Sequence, residues 1–163
     1  MADIVSPEKR SAMMAAVRQK HTRPEIAVRS ALHRLGYRFT VSAPRNKLLP
    51  GRPDIILPRH RALIFVHGCF WHRHRNCRRT TTPAVRLRFW QKKFEENVRR
   101  DSASALALKR AGWRVMIVWE CETRSASLFA KLAEFVSPKS QHSPIRDREA
   151  GKPAPKRNHQ RGP

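Results

Sequence analysis

An acid, two strand-length apolar runs and a knot of thiols and imidazoles follow one another between Leu49 and Cys77. Leu49-Pro50-Gly51-Arg52-Pro53-Asp54 leads into Ile55-Ile56-Leu57, and a second apolar run ends in His67-Gly68-Cys69-Phe70-Trp71-His72-Arg73-His74-Arg75-Asn76-Cys77. Tetrahedral zinc takes four nitrogen or sulfur donors. Cys69, His72, His74 and Cys77 lie on one short segment, and Cys121 closes a later apolar run. Three thiols and one imidazole satisfy zinc and leave one of the two histidines free. Three cysteines are an odd number, which argues against a disulfide framework, and clustered Cys and His in a reducing compartment more often bind metal. Three unrelated buried cysteines are the competing explanation. Zinc is favoured because residues 67–83 show little hydrophobic periodicity and so need some other means of order. In zinc-finger peptides such a site contributes about 10–16 kcal/mol of apparent binding energy.

With only 12 Asp and Glu in the chain, an acid at a strand entrance stands out. A carboxylate buried at Asp54 needs a cation against its desolvation. Mg²⁺ favours one or two carboxylates, completed by waters and phosphate oxygens. Taken alone, Asp54 reads more commonly as a turn-capping residue. Asp101, in Asn97-Val98-Arg99-Arg100-Asp101, reads by itself as a helix-surface ion-pair partner, and Glu25 as a helix-capping acid. His67 ends the second apolar run, where its imidazole could reach the mouth of a sheet or simply be structural. Phe70-Trp71 is harder to place within a polar loop. Exposed, the pair would stack on bases or wedge between base pairs, worth about 1–3 kcal/mol per stacked base; buried, one of them would cover the zinc site.

The charge balance says what such a site acts on. Lys and Arg total 35, and the formal net charge is +23. A folded domain carrying that charge repels itself, and a polyanion relieves the repulsion while releasing condensed counterions. Nucleic acid is the leading partner. An anionic membrane surface is the rival, but no amphipathic helix pairs a basic face with an aromatic one, and no apolar run is long enough to span a bilayer. Met1-Ala2-Asp3-Ile4-Val5-Ser6-Pro7 lacks a signal-peptide core, so a cytoplasmic location is expected.

The positioning elements follow from local pattern. Ser6-Pro7-Glu8 starts a helix running to about Arg18. Thr22-Arg23-Pro24-Glu25 starts another, with Glu25 placed as in a capping box, a stripe of Ile26, Ala27, Ala31, Leu32 and Leu35, and Gly36 as its stop. Tyr37–Val41 alternates like a strand, residues 46–53 form a loop, and Asp54–Leu57 and Ala62–Val66 are apolar strands. Ala84–Ala111 is helical, with Val85, Phe89, Trp90, Phe94, Val98, Leu106 and Leu108 as its apolar face and a break expected near Asp101-Ser102. Trp113–Trp119 is a buried strand, and Ser125–Val136 a last helix with Leu128, Phe129, Leu132 and Phe135 inward. From Ser137 the composition turns to Pro, Lys, Arg, Ser and Gln, as in a disordered basic tail. The order predicts an α/β domain over 1–136, with a central mixed β-sheet flanked by helices, and a tail over 137–163.

The motifs Leu49–Asp54, Ile64–His72, Phe89-Trp90, Asn97–Asp101 and Gly112–Cys121 resemble the very short patch repair (Vsr) endonucleases. The likeness covers about residues 6–136 and includes Arg10-Ser11-Ala12-Met13-Met14 and Pro24-Glu25-Ile26. It implies a restriction-endonuclease-like fold with one structural zinc. It implies a monomeric enzyme that nicks the thymine strand 5′ to the T of a T·G mismatch left by deamination of 5-methylcytosine. By this resemblance Asp54 carries Mg²⁺ with the Val66 backbone, His72 is the general base, Asp101 orients it, and His67 and Glu25 belong to the same catalytic network. Cys69, His74, Cys77 and Cys121 become the zinc ligands; Phe70 and Trp71, with Met14 opposite, become the DNA wedge. A repair polymerase, mismatch-repair proteins and a companion DNA cytosine methyltransferase are the implied partners, in a nucleoid-associated bacterial setting. Two departures stand out: Val66 replaces a common Thr, and the His74-Arg75-Asn76-Cys77 spacing is one residue longer than in some members.

Two other readings compete. A non-catalytic zinc protein that bends DNA gives no reason for Asp54, His72 and Asp101 to coexist. A nuclease of the same fold with another target would cut matched duplex.

Overall fold

The computed structural model describes Ser6, Lys9, residues 21–41 and residues 48–137. The expected first helix, Met14 and the basic tail lie outside the described residues. Among those described, helix α1 (Arg23–Arg34), strands β1 (Ile55–Leu57) and β2 (Ala62–His67), helix α2 (Leu87–Arg110), strand β3 (Arg114–Trp119) and helix α3 (Leu128–Val136) follow in order, with 3₁₀ turns at Pro58–His60 and Glu120–Arg124. No described helix is long and apolar enough to cross a membrane.

The sheet is mixed, as the sequence predicts. β2 pairs antiparallel with β1 (Ile55 opposite Ile64) and parallel with β3 (Ala62 opposite Arg114). A parallel return needs a long crossover, which α2 supplies. Tyr37–Val41 contributes a single antiparallel bridge, Thr40 to Ile56, rather than a strand. β1 is bounded by Pro53 and Pro58 and has only three residues, so it offers little ladder to pair with.

Alternation along the strands divides the core in two. Ile55, Leu57, Ala62 and Ile64 face α1 and α3, where they meet Val28, Ala31, Leu32, Leu128, Leu132 and Val136. Ile56, Leu63 and Phe65 face the other side, against Leu108 of α2. The stripe of α1 is therefore Val28, Ala31, Leu32 and Leu35; Ile26 is 52% exposed. On α2, Trp90, Phe94 and Leu108 are buried, whereas Val85 before it and Phe89, Val98 and Leu106 on it are exposed. Three strands do not cover every apolar position of a 24-residue helix. That helix runs unbroken through Asp101-Ser102, because it contains no Pro or Gly and these two residues lower helix propensity only by tenths of a kcal/mol (about 0.7 at most).

Two contacts fix the ends of the sheet. Gly51 has φ +71°, and a Cβ there would lie 2.8 Å from the Ser104 Cβ on α2, so the loop before Asp54 packs directly on that helix. The Arg114 guanidinium donates to the carbonyls of Phe135 (2.7 Å), His60 (3.1 Å), Val136 (3.2 Å) and Ser137 (3.2 Å). It thereby ties the C-terminus of α3 to the opposite end of the strands from the His and Cys residues.

Candidate active site and four-donor metal centre

Asp54 immediately precedes β1, and its Oδ2 accepts the Val66 N–H at 2.7 Å. Burial raises its pKa to about 6, against that hydrogen bond; the Glu25 carboxylate pushes the same way as burial. Asp54, Glu25, His67, His72, Asp101 and Glu120 line one cavity of about 630 Å³. That places four of the chain's 12 acids at one opening in a strongly cationic protein.

His72 comes from the loop after β2, where its N–H donates to the Gly68 carbonyl at 3.1 Å. Its Nδ1 meets Asp101 Oδ2 from α2 at 2.5 Å. Burial alone would raise the Asp101 carboxyl, but the His72 hydrogen bond, joined by the nearby His72, His67 and Arg100 charges, outweighs it and holds the group below the usual range. His67 lies at the end of β2, only 6% exposed. Its ring stacks on His72 with centroids 3.9 Å apart and meets the Trp119 edge at 5.5 Å. Burial, reinforced by His72, lowers the His67 pKa to about 4, so this imidazole is neutral near pH 7.

Glu25 is held at the start of α1. Thr22 Oγ1 accepts the Glu25 N–H at 3.4 Å and donates to Glu25 Oε1 at 2.9 Å. This is the N-cap half of the expected capping box, and the carboxylate takes the Thr22 hydroxyl and the His21 N–H in place of the N-cap N–H.

The donor atoms of Cys69, His74, Cys77 and Cys121 all lie within 4.8 Å of one another. His74 Nδ1 is 3.7 Å from Cys69 Sγ and 3.3 Å from Cys121 Sγ. Of the two histidines that composition left interchangeable, His74 joins the thiols and His72 turns to Asp101. Thr80 Oγ1 donates to the carbonyls of His74 (2.7 Å) and Cys69 (3.2 Å), and the His74 ring stacks on Trp119 at 4.2 Å. Burial pushes the Cys69 thiol up to about 12, so a thiolate forms there only if a cation compensates it. Three thiols and an imidazole closing on one point suit a soft or borderline divalent ion.

Phe70 and Trp71 are half-buried in an aromatic cluster with Trp90 and Phe94 of α2, with Phe70 5.0 Å from Trp71 and 5.1 Å from Phe94. Asn97 anchors the pair by donating to the Trp71 carbonyl at 3.1 Å. Asn97 and Glu120 lie inside the motifs Asn97–Asp101 and Gly112–Cys121, but the sequence assigns neither of them a role: Asn97 sits on a polar-looking helix segment, and Glu120 between the last apolar run and Cys121.

A mixed sheet carrying a carboxylate–histidine cluster at one end, beside a four-donor group able to hold a metal, defines an α/β protein built for hydrolytic chemistry on a polyanion. The chain belongs to the Vsr family: the profile described as DNA mismatch endonuclease Vsr matches residues 2–79. A Type II nicking enzyme, V.XorIIP of Xanthomonas oryzae pv. oryzae, is 48% identical over 139 residues, covering 85% of this chain and 99% of its own length. The DNA mismatch endonuclease Vsr of Escherichia coli K12 is 42% identical over 124 residues, covering 76% and 77%. A Type II nicking enzyme of Neisseria meningitidis, V.NmeAIP, is 35% identical over 128 residues, covering 78% and 89%.

Proposed function

We propose that this protein is a Mg²⁺-dependent DNA endonuclease of restriction-endonuclease-like fold that nicks the thymine strand 5′ to the T of a T·G mismatch. The observation that carries the reading is the convergence of Asp54 and the His72–Asp101 pair on one cavity, beside an aromatic pair on the same loop as the Cys₃His donors. Family membership sets the reaction class.

Asp101 fixes the Nδ1 side of His72, which leaves Nε2 free to take a proton from the attacking water, the role of a general base. A neutral His67 stacked on His72 keeps a second positive charge away from that base and offers a hydrogen bond to the scissile phosphate. Asp54, with the Val66 carbonyl, holds the catalytic ion, and Glu25 shares that site. Bound Mg²⁺ supplies Lewis acidity and lowers the pKa of water. Val in place of Thr at 66 is compatible with this role, since only the backbone is used.

Phe70 and Trp71 act as the wedge, with Met14 entering from the other side; a wobble pair is easier to unstack than a matched pair. Cys69, His74, Cys77 and Cys121 hold structural zinc and brace the arm that carries both His72 and the wedge. The enzyme works as a cytoplasmic monomer and hands its nick to mismatch-repair proteins and a repair polymerase, correcting damage downstream of a cytosine methyltransferase. The test is a Mg²⁺ reaction on an end-labelled duplex with one T·G pair beside its matched control. Selective cleavage 5′ to the mismatched T is expected. Equal nicking of both duplexes points to a same-fold nuclease with another target, and tight binding without cleavage to an architectural protein.

A further inference from the structure

The Glu25 carboxylate has more partners than a helix cap requires. Thr22 Oγ1 donates to Oε1, and the His21 backbone N–H donates to Oε2 at 3.1 Å. One turn along α1, Arg29 Nη2 adds a contact to Oε2 at 2.6 Å, and the two side chains are only 14% and 8% exposed. This ion pair lies inside the protein, where a charge is screened far less than on the surface. The other end of the guanidinium is also fixed. Arg29 Nη1 meets His21 Nδ1 at 2.8 Å, and because arginine can only donate, that ring nitrogen is the acceptor. Arg29 Nε is buried with no hydrogen-bond partner among the described residues. A cation is thus locked behind Glu25, and Glu25 and Asp54 line the same cavity. Its charge is felt at Asp54, where it opposes the effect of Glu25.

We propose that Arg29 is a positioning residue and a resident counter-charge: it holds and neutralises the Glu25 carboxylate, so that the DNA-free protein binds a divalent cation weakly at Asp54. The phosphate of bound DNA then supplies the anionic charge that completes the ion's site. Metal occupancy is coupled to substrate, and the free enzyme is kept from loading the ion tightly. This rests on the reading of Asp54 as the catalytic metal carboxylate.

The test is Mn²⁺ titration of zinc-replete, DNA-free protein, with free Mn²⁺ read by electron paramagnetic resonance. Arg29→Gln should tighten binding roughly three- to tenfold, the scale of one partly buried charge, and Arg29→Lys should stay within about twofold of wild type. Loss of a mere structural brace would weaken binding, so the sign discriminates. Unchanged or weaker binding in a folded Arg29→Gln protein overturns the role. Should that variant not fold, the neutral pair Glu25→Gln/Arg29→Gln decides. Binding near wild type, with Glu25→Gln alone at least about threefold weaker, supports the counter-charge; a double variant as weak as Glu25→Gln alone overturns it. Asp54→Asn should remove this Mn²⁺ site altogether. If it does not, the metal reading of Asp54 fails, and the Arg29 role with it.

Discussion

Asp101 and His72 come from elements 29 positions apart and meet at 2.5 Å. No local pattern in the chain announces the pair. Asp101 alone is one more acid on a charged helix, and only the family likeness marks it. The same holds for the two histidines of the loop, which composition treats as equivalent zinc donors. The burial of Asp54 was legible for a physical reason, though its role was not, since taken alone it reads as a turn cap: an acid opening an apolar strand has a desolvation problem, and its carboxyl is pushed up to about 6 by burial. Arg29, Asn97 and Glu120 were not legible, because each acts through a three-dimensional neighbour. At this scale the account predicts that Asp101→Asn, which keeps shape but removes the charge fixing His72, lowers the single-turnover nicking rate about 10²–10⁴-fold. DNA binding should hold in a parallel mobility-shift titration. A rate within a few fold of wild type removes Asp101 from the role of orienting the base.

Elements were read from sequence with fair success in kind and less in extent. α1, β1, α2, β3 and α3 fall within expected segments, and β2 runs one residue past its own, to His67. The expected faces were wrong where the sheet is too narrow to cover them: Phe89, Val98 and Leu106 satisfy helical periodicity yet stay exposed. Periodicity reports which residues share a face, and coverage depends on what packs there. The Cys69–Cys77 loop shows the complementary case, with no periodicity and a defined shape set by converging donors. Cys121→Ala should therefore lose bound zinc, measured by metal analysis, and expose residues 67–83 to protease. Unchanged zinc content would reassign the site. Gly51→Ala should cost roughly 1–3 kcal/mol in urea unfolding, since it combines positive φ with a close approach to α2. A change inside about 0.5 kcal/mol would mean that the loop yields freely.

The whole molecule carries a charge far larger than its cavity needs. Residues 138–163 contribute seven Lys and Arg against two acids, so the remainder keeps most of the +23. Charge of this kind supplies affinity and search, while selection comes from the site. Deleting residues 138–163 should make DNA binding less salt-dependent, a shallower slope of affinity against salt concentration, with turnover at saturating DNA unchanged. A loss of turnover there would give the tail a part in catalysis.

The most direct test pairs wild type with Asp54→Ala on a T·G duplex, following single-turnover nicking and equilibrium binding in the same buffer with Mg²⁺. The account predicts that the variant binds the mismatch as wild type does and leaves the strand uncut. Cleavage at a comparable rate without the Asp54 carboxylate would contradict it.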